Sequence, residues 1–456
     1  MKRRKRRSRN KPLYGIIAAL SVLLVVLIII AANGNRPEGD ASLSTPNTGS
    51  GESTGSTPPP SSVVTEPTPH KESSATISAV GDVLMHDSVL NSGYSGGEYS
   101  FDSIFSYFMD YVNRSDYAVA NLETTLAGSD NGYSYKGYPN FNCPDTILPA
   151  LKNSGFDMIL TANNHSYDTK SVGFRRTAKT VTTYGLDRLG TKETADEPDY
   201  VLRQINGINI GMMCYTYETG GVAEEVHLNG KELAAWDAPL VNSFDYSHMD
   251  LFYTEIRENM AALQEQGADA VILFIHWGTE YQTKQNKTQS SIAQKLCDLG
   301  IDVIVGGHPH VVQPVDLLTS TTDENHKTVC IYSLGNFISN QRRNLMRLDT
   351  GHTEDGIMFS ITFAKYSDGT VIMEKADILP FWVDMQKIGD RKIYHVLPLD
   401  TQIEDWQTQF SLSDATLQDA KNSYKRTTDI VGAGLEKVNA YLQTLVQQTE
   451  QRLNIQ

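Results

Sequence analysis

The fold and the candidate site are indicated first by the stretch Ile301-Asp-Val-Ile-Val-Gly-Gly-His-Pro-His-Val-Val-Gln-Pro314. Its apolar run, Ile301 to Val305, predicts a buried parallel strand, and the two glycines after it allow a tight turn close to a ligand. His308 and His310 follow this turn directly. Open α/β sheets bind ligands beyond the carboxyl ends of their strands, and neutral imidazole is the commonest metal ligand. One such pair is a weak signal, because two hydrogen-bonded loop histidines would give the same pattern.

Four other short β-type runs also end in polar side chains. Because the carboxyl ends of parallel strands meet at one edge of a sheet, we expect these side chains to converge with the two histidines. Mixed nitrogen and oxygen ligands suit Mn, Fe, Zn or Ni, and the absence of cysteine from the set disfavours a structural zinc knot. The four runs are residues 76–82, 117–123, 156–165 and 270–276, and their polar residues are Asp82, Asn121, Glu123, Asn164, His165 and His276.

Six short motifs follow one another along the chain: Gly81-Asp82, Asn121-Leu-Glu123, Ala162-Asn-Asn-His165 with Asp168, His276-Trp-Gly278 with Glu280-Tyr281, Gly307-His-Pro-His310 and Tyr332-Ser-Leu-Gly-Asn-Phe337. Together they resemble the CapA proteins, a family associated with bacterial capsule and poly-γ-glutamate synthesis. The resemblance covers roughly residues 75–380, and six motifs in order are more specific than any one of them. CapA proteins look like a branch of the calcineurin-like metallophosphoesterases. The resemblance therefore implies an α/β fold, a two-sheet α/β sandwich of metallophosphoesterase type.

The resemblance also implies a site for divalent metal ions of the Mn, Fe or Zn type. Two such ions lower the pKa of a bound water and neutralise charge on a phosphoryl group during transfer. Carried over residue by residue, the pattern gives one ion the ligands Asp82 and His310, the other ion Asn164, His276 and His308, and makes Glu123 the bridge.

Catalytic and substrate-binding residues follow from the same resemblance. His165 matches the position that protonates the leaving oxygen, with Asp168 as its orienting partner. Asn121 and Asn336 are assigned to substrate binding. Each residue also has a structural alternative when taken singly: Asp82 could cap the next helix, Asn121 or Asn164 could cap a turn, and His276 could be a hydrogen-bonded core histidine.

The sequence departs from the metallophosphoesterase pattern at its first motif, Asp-x-His. Asp82 is followed by Val83 and Leu84, so one histidine ligand is missing, and the nearest substitute is His86. The bridging aspartate is replaced by Glu123. One metal position could therefore be weak, empty or differently filled, and we expect one or two ions per chain.

The first 74 residues differ in character from the rest. Residues 1–12 form a basic tail, and residues 13–32 form an apolar segment long enough to cross a bilayer. The positive flank stays in the cytoplasm, which predicts a single-pass membrane protein with an extracellular C-terminal domain. A cleaved signal peptide is the alternative. Residues 33–74 are rich in Ser, Thr and Pro and predict a disordered linker.

Residues 75–400 are predicted to form the CapA-like domain, and residues 401–456 a C-terminal helical segment with one or two surface helices interrupted at Gly432-Ala-Gly434. Apolar stripes at helical spacing predict helices that cover a sheet. Two hairpins are predicted from Asn-Gly and Asp-Gly turns. The helices are expected over residues 101–112, 146–153, 250–266 and 289–299, and the hairpins over residues 201–216 and 356–375.

Charge restricts the partners. The chain has 39 Lys and Arg, of which eight lie in the first eleven residues, so 31 remain against 54 Asp and Glu. This balance argues against nucleic acid, whose binding requires a basic face. An anionic polymer could approach only through a local positive site, such as bound metal ions or the arginines Arg342, Arg343 and Arg347. The cysteines show no paired spacing, and Cys214, Cys297 and Cys330 are expected to be buried as small hydrophobes.

Three functional classes remain open at this point. The first is an anchored extracellular hydrolase or transferase that acts on a phosphoester or on the γ-glutamyl amide of a polymer, in capsule or poly-γ-glutamate synthesis and export. The second is a non-catalytic component that stands beside a membrane polymer synthase. The third is a surface phosphodiesterase or nucleotidase. Metal content and turnover distinguish these classes.

Overall fold

The computed structural model describes residues 69–130, 132–220, 225–348 and 350–455. The predicted basic tail, the predicted membrane segment (residues 13–32) and linker residues 33–68 lie outside these ranges. Residues 71–74, assigned to the linker from the sequence, instead begin strand β1 (Lys71–Val83), because their backbone pairs with a neighbouring strand around Lys365. Within the described residues, no helix combines the length and the apolar character needed to cross a membrane.

The strands carry the architecture. Their cores are apolar, and the central strand over residues 270–276 is buried at every position, as expected of a strand covered on both faces. In chain order the strands are β1 (Lys71–Val83), β2 (Tyr94–Ser95), β3 (Glu98–Tyr99), β4 (Tyr117–Leu122), β5 (Met158–Leu160), β6 (Asp187–Leu189), β7 (Tyr200–Ile205), β8 (Ile208–Tyr217), β9 (His227–Leu228), β10 (Lys231–Glu232), β11 (Ser243–Phe244), β12 (Ala270–His276), β13 (Val303–Gly307), β14 (Val315–Thr319), β15 (Lys327–Ile331), β16 (Asn336–Ile338), β17 (Asp355–Tyr366), β18 (Val371–Ile388) and β19 (Arg391–Pro398).

Two large mixed sheets form from these strands. The first has eight strands in the order β19-β18-β17-β1-β4-β5-β6, with β16 also paired to β1. The second has seven strands in the order β11-β8-β12-β13-β15-β14, with β7 also paired to β8. Their apolar inner faces meet in one core that includes Ile77 and Val119 from the first sheet and Ile272 and Val303 from the second. The predicted α/β architecture with two sheets is confirmed, while its assignment to the metallophosphoesterase type stays a prediction.

Helices cover the outer faces of both sheets. Phe105 and Leu151 pack on the first sheet, and Ile256 and Leu296 pack on the second. In chain order the helices are α1 (Asp87–Gly93), α2 (Asp102–Phe105), α3 (Met109–Val112), α4 (Ile147–Asn153), α5 (Lys170–Thr183), α6 (Met249–Glu265), α7 (Lys287–Asp298), α8 (Arg343–Met346), α9 (Trp406–Gln409) and α10 (Asp414–Leu453).

Local sequence patterns were right for most of these elements. Both predicted hairpins form, as β7 with β8 and β17 with β18. The helix predicted over residues 101–112 was wrong as one element, because the chain forms two short helices, α2 and α3, there. All four cysteines are buried and unpaired, as expected for the three that the sequence analysis considered.

Helix α10 contradicts the predicted interruption at Gly432-Ala-Gly434, since it runs unbroken for 40 residues. It contacts β18 of the first sheet and β14 of the second, and its Val431 and Val438 enter the core between them. A Cβ atom on Gly434 would lie 2.0 Å from the carbonyl oxygen of Val315. This glycine therefore permits a close contact between helix and sheet instead of ending the helix.

Candidate metal centre

The strand ends of both sheets bring the candidate ligands together. The pairing register places Asp82 of β1 beside Asn121 of β4 on one side and beside Asn336 of β16 on the other. In the second sheet, His276 of β12 lies beside Gly307 of β13, immediately before the histidine pair. The convergence predicted from the ends of the apolar runs is therefore what the sheet registers produce.

Two sets of buried side chains lie close enough to share a metal ion. In each set, one ligand atom from every residue lies within 4.8 Å of the others. The first set is Glu123, His308 and His310, and the second is Asp82, Glu123 and His276. Glu123 belongs to both, which is the position expected of a bridging ligand. The division of the remaining ligands differs from the one that the metallophosphoesterase pattern implies.

The polar atoms of this cluster fit a cation. Both carboxylate oxygens of Glu123 and Nδ1 of His308 are buried without a hydrogen-bond partner among the described residues. Nε2 of His276 lies 3.5 Å and Nε2 of His310 lies 3.9 Å from Oε1 of Glu123. Buried polar atoms without partners are rare and costly in folded proteins. A divalent ion would satisfy all three atoms, so the residues present are suited to hold one.

Electrostatics within the cluster distinguish its histidines. Burial alone would lower the pKa of His310, but the charges of Glu123 and Asp82 outweigh it and raise that pKa to about 9. At His308, burial together with the surrounding histidines holds the pKa well below its usual range. For Asp82, the hydrogen bond and charge of His310 outweigh burial, and the pKa is lowered. His308 is thus ready to bind a metal, whereas His310 must first lose a proton.

Asn121 and Asn336 hold the ligands in place. The Asn121 amide donates to Oδ1 of Asp82 at 2.7 Å and accepts from Asn163 at 3.1 Å. Asn336 Oδ1 lies 3.1 Å from Nδ1 of His310, which also contacts Asp82 at 3.1 Å. Both amides are buried and hydrogen-bonded to protein groups, which supports a role in orienting the ligands, while substrate binding by Asn121 and Asn336 stays a prediction.

Asn164 and His276 contact each other directly. Oδ1 of Asn164 lies 2.9 Å from Nε2 of His276, so both are at the cluster, as the resemblance implied. The ring of Tyr217, at the end of β8, lies 4.8 Å from the ring of His308 and shields it from solvent. Asp82 does not cap the next helix, since His86 occupies the N-cap position of α1 and no side chain there accepts a capping hydrogen bond. The structural alternative for Asp82 is therefore wrong.

His165 and Asp168 form a buried pair beside the ligands. Nδ1 of His165 lies 2.7 Å from Oδ2 of Asp168, and that oxygen also accepts from the backbone of Phe141 at 2.7 Å. The Phe141 ring packs edge-on against the imidazole at 4.8 Å. With Nδ1 held by the carboxylate, Nε2 is the nitrogen that can exchange a proton with another group.

The sequence analysis missed two residues that contact this pair. Lys231 donates to Oδ1 of Asp168 at 2.8 Å, and Nδ2 of Asn229 lies 3.4 Å from Nδ1 of His165. Both belong to the short hairpin formed by β9 and β10. No motif marks this hairpin, and only the Asn229-Gly230 turn signal could have revealed it.

His86 does not replace the missing histidine ligand. Its Nδ1 accepts a hydrogen bond from the backbone of Asn340 at 3.2 Å, and its ring packs against Phe141 at 5.1 Å. Burial lowers its pKa to about 4.

His308 and His310 have left-handed backbones with φ of 95° and 57°. Such strain in residues other than glycine is characteristic of functional sites.

The arginine cluster considered as a docking site for an anionic polymer is engaged within the protein. Arg342 lies 3.2 Å and Arg343 2.9 Å from Oε2 of Glu354, and Arg343 also lies 3.3 Å from Asp419. Arg342 additionally donates to the Val383 carbonyl. Arg342 and Arg343 are therefore paired within the protein, and binding of an anionic polymer at this cluster stays a prediction.

Comparison with known proteins agrees with this geometry. Residues 76–341 match the sequence profile of the family described as Bacterial capsule synthesis protein PGA_cap. The chain is similar to the capsule biosynthesis protein CapA of Bacillus anthracis, with 27% identity over 348 residues, which are 74% of this chain and 76% of that protein. It is also similar to the PGA biosynthesis protein CapA of Bacillus subtilis (strain 168), with 28% identity over 267 residues, which are 58% of this chain and 63% of that protein. The profile match spans every candidate ligand.

Proposed function

The chain belongs to the PGA_cap family of bacterial capsule synthesis proteins, and we propose that it acts in capsule or poly-γ-glutamate synthesis or export through a metal-dependent hydrolase or transferase site. The observation that carries the proposal is the buried carboxylate of Glu123, which follows a strand of the first sheet, has no hydrogen-bond partner among the described residues and lies among histidines carried by the second sheet. A purely structural cluster would satisfy such a group with protein donors.

Six side chains would hold the metal. A divalent ion bound there supplies Lewis acidity, which makes water more acidic and neutralises charge on a phosphoryl or carbonyl oxygen. The protein contributes burial and fixed orientation: the amides of Asn121 and Asn336 hold Asp82 and His310, so the ligands need little rearrangement. The six proposed ligands are Asp82, Glu123, Asn164, His276, His308 and His310.

His165 is proposed as the general acid. Its Nδ1 is bound to the Asp168 carboxylate at 2.7 Å, which orients the ring and leaves Nε2 to give a proton to the leaving oxygen of the substrate. Lys231 binds the other oxygen of Asp168 at 2.8 Å and keeps that carboxylate in place.

We also propose that residues 13–32 anchor the chain in the cell membrane with the described domain outside the cell. The support is the sequence alone, an apolar segment preceded by a basic tail. The full chain should then sediment with membranes, and external protease should digest its C-terminal part in intact cells. A secreted main species that begins near residue 33 would contradict the anchor.

The experiment that tests catalysis is His165→Ala in the full chain. We expect hydrolysis of a generic phosphodiester or of a γ-glutamyl peptide to fall about 10²- to 10⁴-fold, the range typical of losing a general acid, while metal content is unchanged. The matched control is His248→Ala. His248 also contacts an aspartate, Asp245, at 2.7 Å, but it lies outside the candidate centre.

Polymer display on cells distinguishes an enzyme from a non-catalytic component. If the site is catalytic, cells with a folded, metal-loaded His165→Ala protein should display little polymer, and those with the His248→Ala protein should display normal amounts. Normal display with the His165→Ala protein would show that the site is retained as architecture and that the catalytic proposal is wrong.

A further inference from the structure

The hairpin formed by β9 and β10 adds a positive group to the wall of the candidate centre. Its strands pair Lys231 with Leu228, and Leu228 is fully buried in the core between the sheets. Asn229 and Gly230 form the turn with φ of 49° and 71°, the backbone that a two-residue hairpin requires. The buried leucine and the tight turn fix the direction of the lysine side chain.

Among the described residues, the Lys231 ammonium has one hydrogen-bond partner, Asp168. An ammonium has three donor hydrogens, and one is directed to Oδ1 of Asp168 at 2.8 Å. The Asp168 side chain is completely buried, whereas that of Lys231 is 25% exposed. Lys231 therefore lies on the solvent side of the Asp168 carboxylate. Its remaining donor hydrogens can bind a further oxygen.

The charges around the centre give this lysine a specific use. Asp168 is a buried acid beside the centre and is not one of the proposed ligands, so its charge would repel an anionic substrate if no cation compensated it. Arg342 and Arg343 cannot compensate, because both are paired with Glu354. Lys231 compensates the Asp168 charge at the position where His165 must meet the substrate.

We propose that Lys231 is a substrate-binding residue that recognises an anionic oxygen group, a carboxylate or a phosphate, next to the group on which His165 acts. The inference rests on the proposed function for the place where the substrate lies. The inference adds that Lys231 of the hairpin selects for a negatively charged group, and that this group is a carboxylate or a phosphate.

The test is equilibrium binding to the metal-loaded full chain, which requires no turnover. The probes are a γ-linked glutamate tetramer, the same tetramer with its free carboxylates amidated, and inorganic phosphate. Lys231→Met should weaken binding of the acidic tetramer or of phosphate about tenfold, as expected for the loss of a charged hydrogen bond, and should leave the amidated tetramer unaffected. Lys231→Arg should retain most of the affinity. Whichever anionic probe responds identifies the carboxylate or the phosphate as the group that is read.

The control is Lys71→Met, which removes another lysine paired with a carboxylate, Glu374, at 2.6 Å, on the strand β1 far in sequence from the hairpin. It should change none of the affinities. Equal weakening of the acidic and the amidated tetramer by Lys231→Met would mean that lysine only positions Asp168, and the inference would be overturned. Unchanged binding of both anionic probes would overturn it as well. Neither result would contradict the proposed metal-dependent activity, because His165→Ala tests that activity separately.

Discussion

Two buried polar clusters in this protein both contain carboxylates. They differ in whether all of their polar groups have partners among the described residues. In the candidate metal centre, the carboxylate of Glu123 and a nitrogen of His308 have no hydrogen-bond partner among the described residues. In a second cluster beneath helix α10, which we call the fastening cluster, each charged group is paired. The fastening cluster consists of Arg342, Arg343, Glu354, Asp355 and Arg426.

The fastening cluster illustrates what a structural role requires. Both oxygens of Asp355 accept from the Arg426 guanidinium at 2.7 Å, and Ser423 adds a third donor at 2.6 Å. Burial of charge without such partners costs several kcal/mol per ion. In the candidate centre, the Glu123 carboxylate and Nδ1 of His308 are buried without such partners among the described residues. This difference supports the proposal that a metal ion binds at the candidate centre.

The largest effect on stability is expected in the fastening cluster. Arg426→Met leaves the Asp355 carboxylate buried with only Ser423 as a side-chain donor, and we expect the free energy of unfolding to fall by about 3 kcal/mol. Urea denaturation of the metal-free protein measures this change. Metal content of the folded variant should equal that of the parent, since Arg426 belongs to neither ligand set.

Arg452→Met is the control on the same helix. Arg452 pairs with Asp368 at 3.5 Å on the surface, where an ion pair contributes little to stability. A loss of stability in Arg426→Met no greater than in Arg452→Met, or a loss of metal, would remove the distinction between the two clusters.

A smaller effect is expected from pH on the candidate centre. The pKa of His310 is raised to about 9 in the metal-free fold, and a metal ligand must be neutral. The affinity for Mn²⁺ should therefore rise about tenfold per pH unit between roughly pH 7 and 9 and then level off. Titrations of the metal-free protein at several pH values measure this slope, and a flat profile over that range would contradict the proposed role of His310.

The same shift fixes the sign of a stability change without metal. The folded pKa of His310 lies above the value of about 6.5 in an unfolded chain. Its contribution to stability is complete below that unfolded value and is lost as the pH rises towards 9. The metal-free fold should consequently weaken over this range, whereas the metal-loaded protein, with His310 already neutral, should not weaken for this reason.

The sequence was sufficient where a residue's role follows from its position along a strand. Apolar runs that end in Asp82, His276 and the His308 pair predicted both the strands and their convergence, because parallel strands align their carboxyl ends. It was insufficient where the role depends on a distant partner. Arg342 and Arg343 read as a basic patch until Glu354 is placed beside them, and Glu354 lies in no motif.

Local signals also failed where packing overrides them. The glycines near residue 433 predicted a break, yet helix α10 continues because Gly434 packs against Val315. The amides of Asn121 and Asn336 were assigned to substrate binding. Their hydrogen bonds to Asp82 and His310 could not be predicted from the sequence, because these bonds depend on the sheet register. Lys231 escaped notice because only the hairpin geometry brings it to Asp168.

The central claim is that the cluster around Glu123 holds metal, and elemental analysis of the mildly purified full chain tests it most directly. We predict between one and two divalent ions per chain, with none tightly bound in Glu123→Gln. The control Glu354→Gln changes a buried carboxylate of the fastening cluster and should retain the metal of the parent. A parent protein that contains no divalent ion and does not take up Mn²⁺ or Zn²⁺ would contradict the claim.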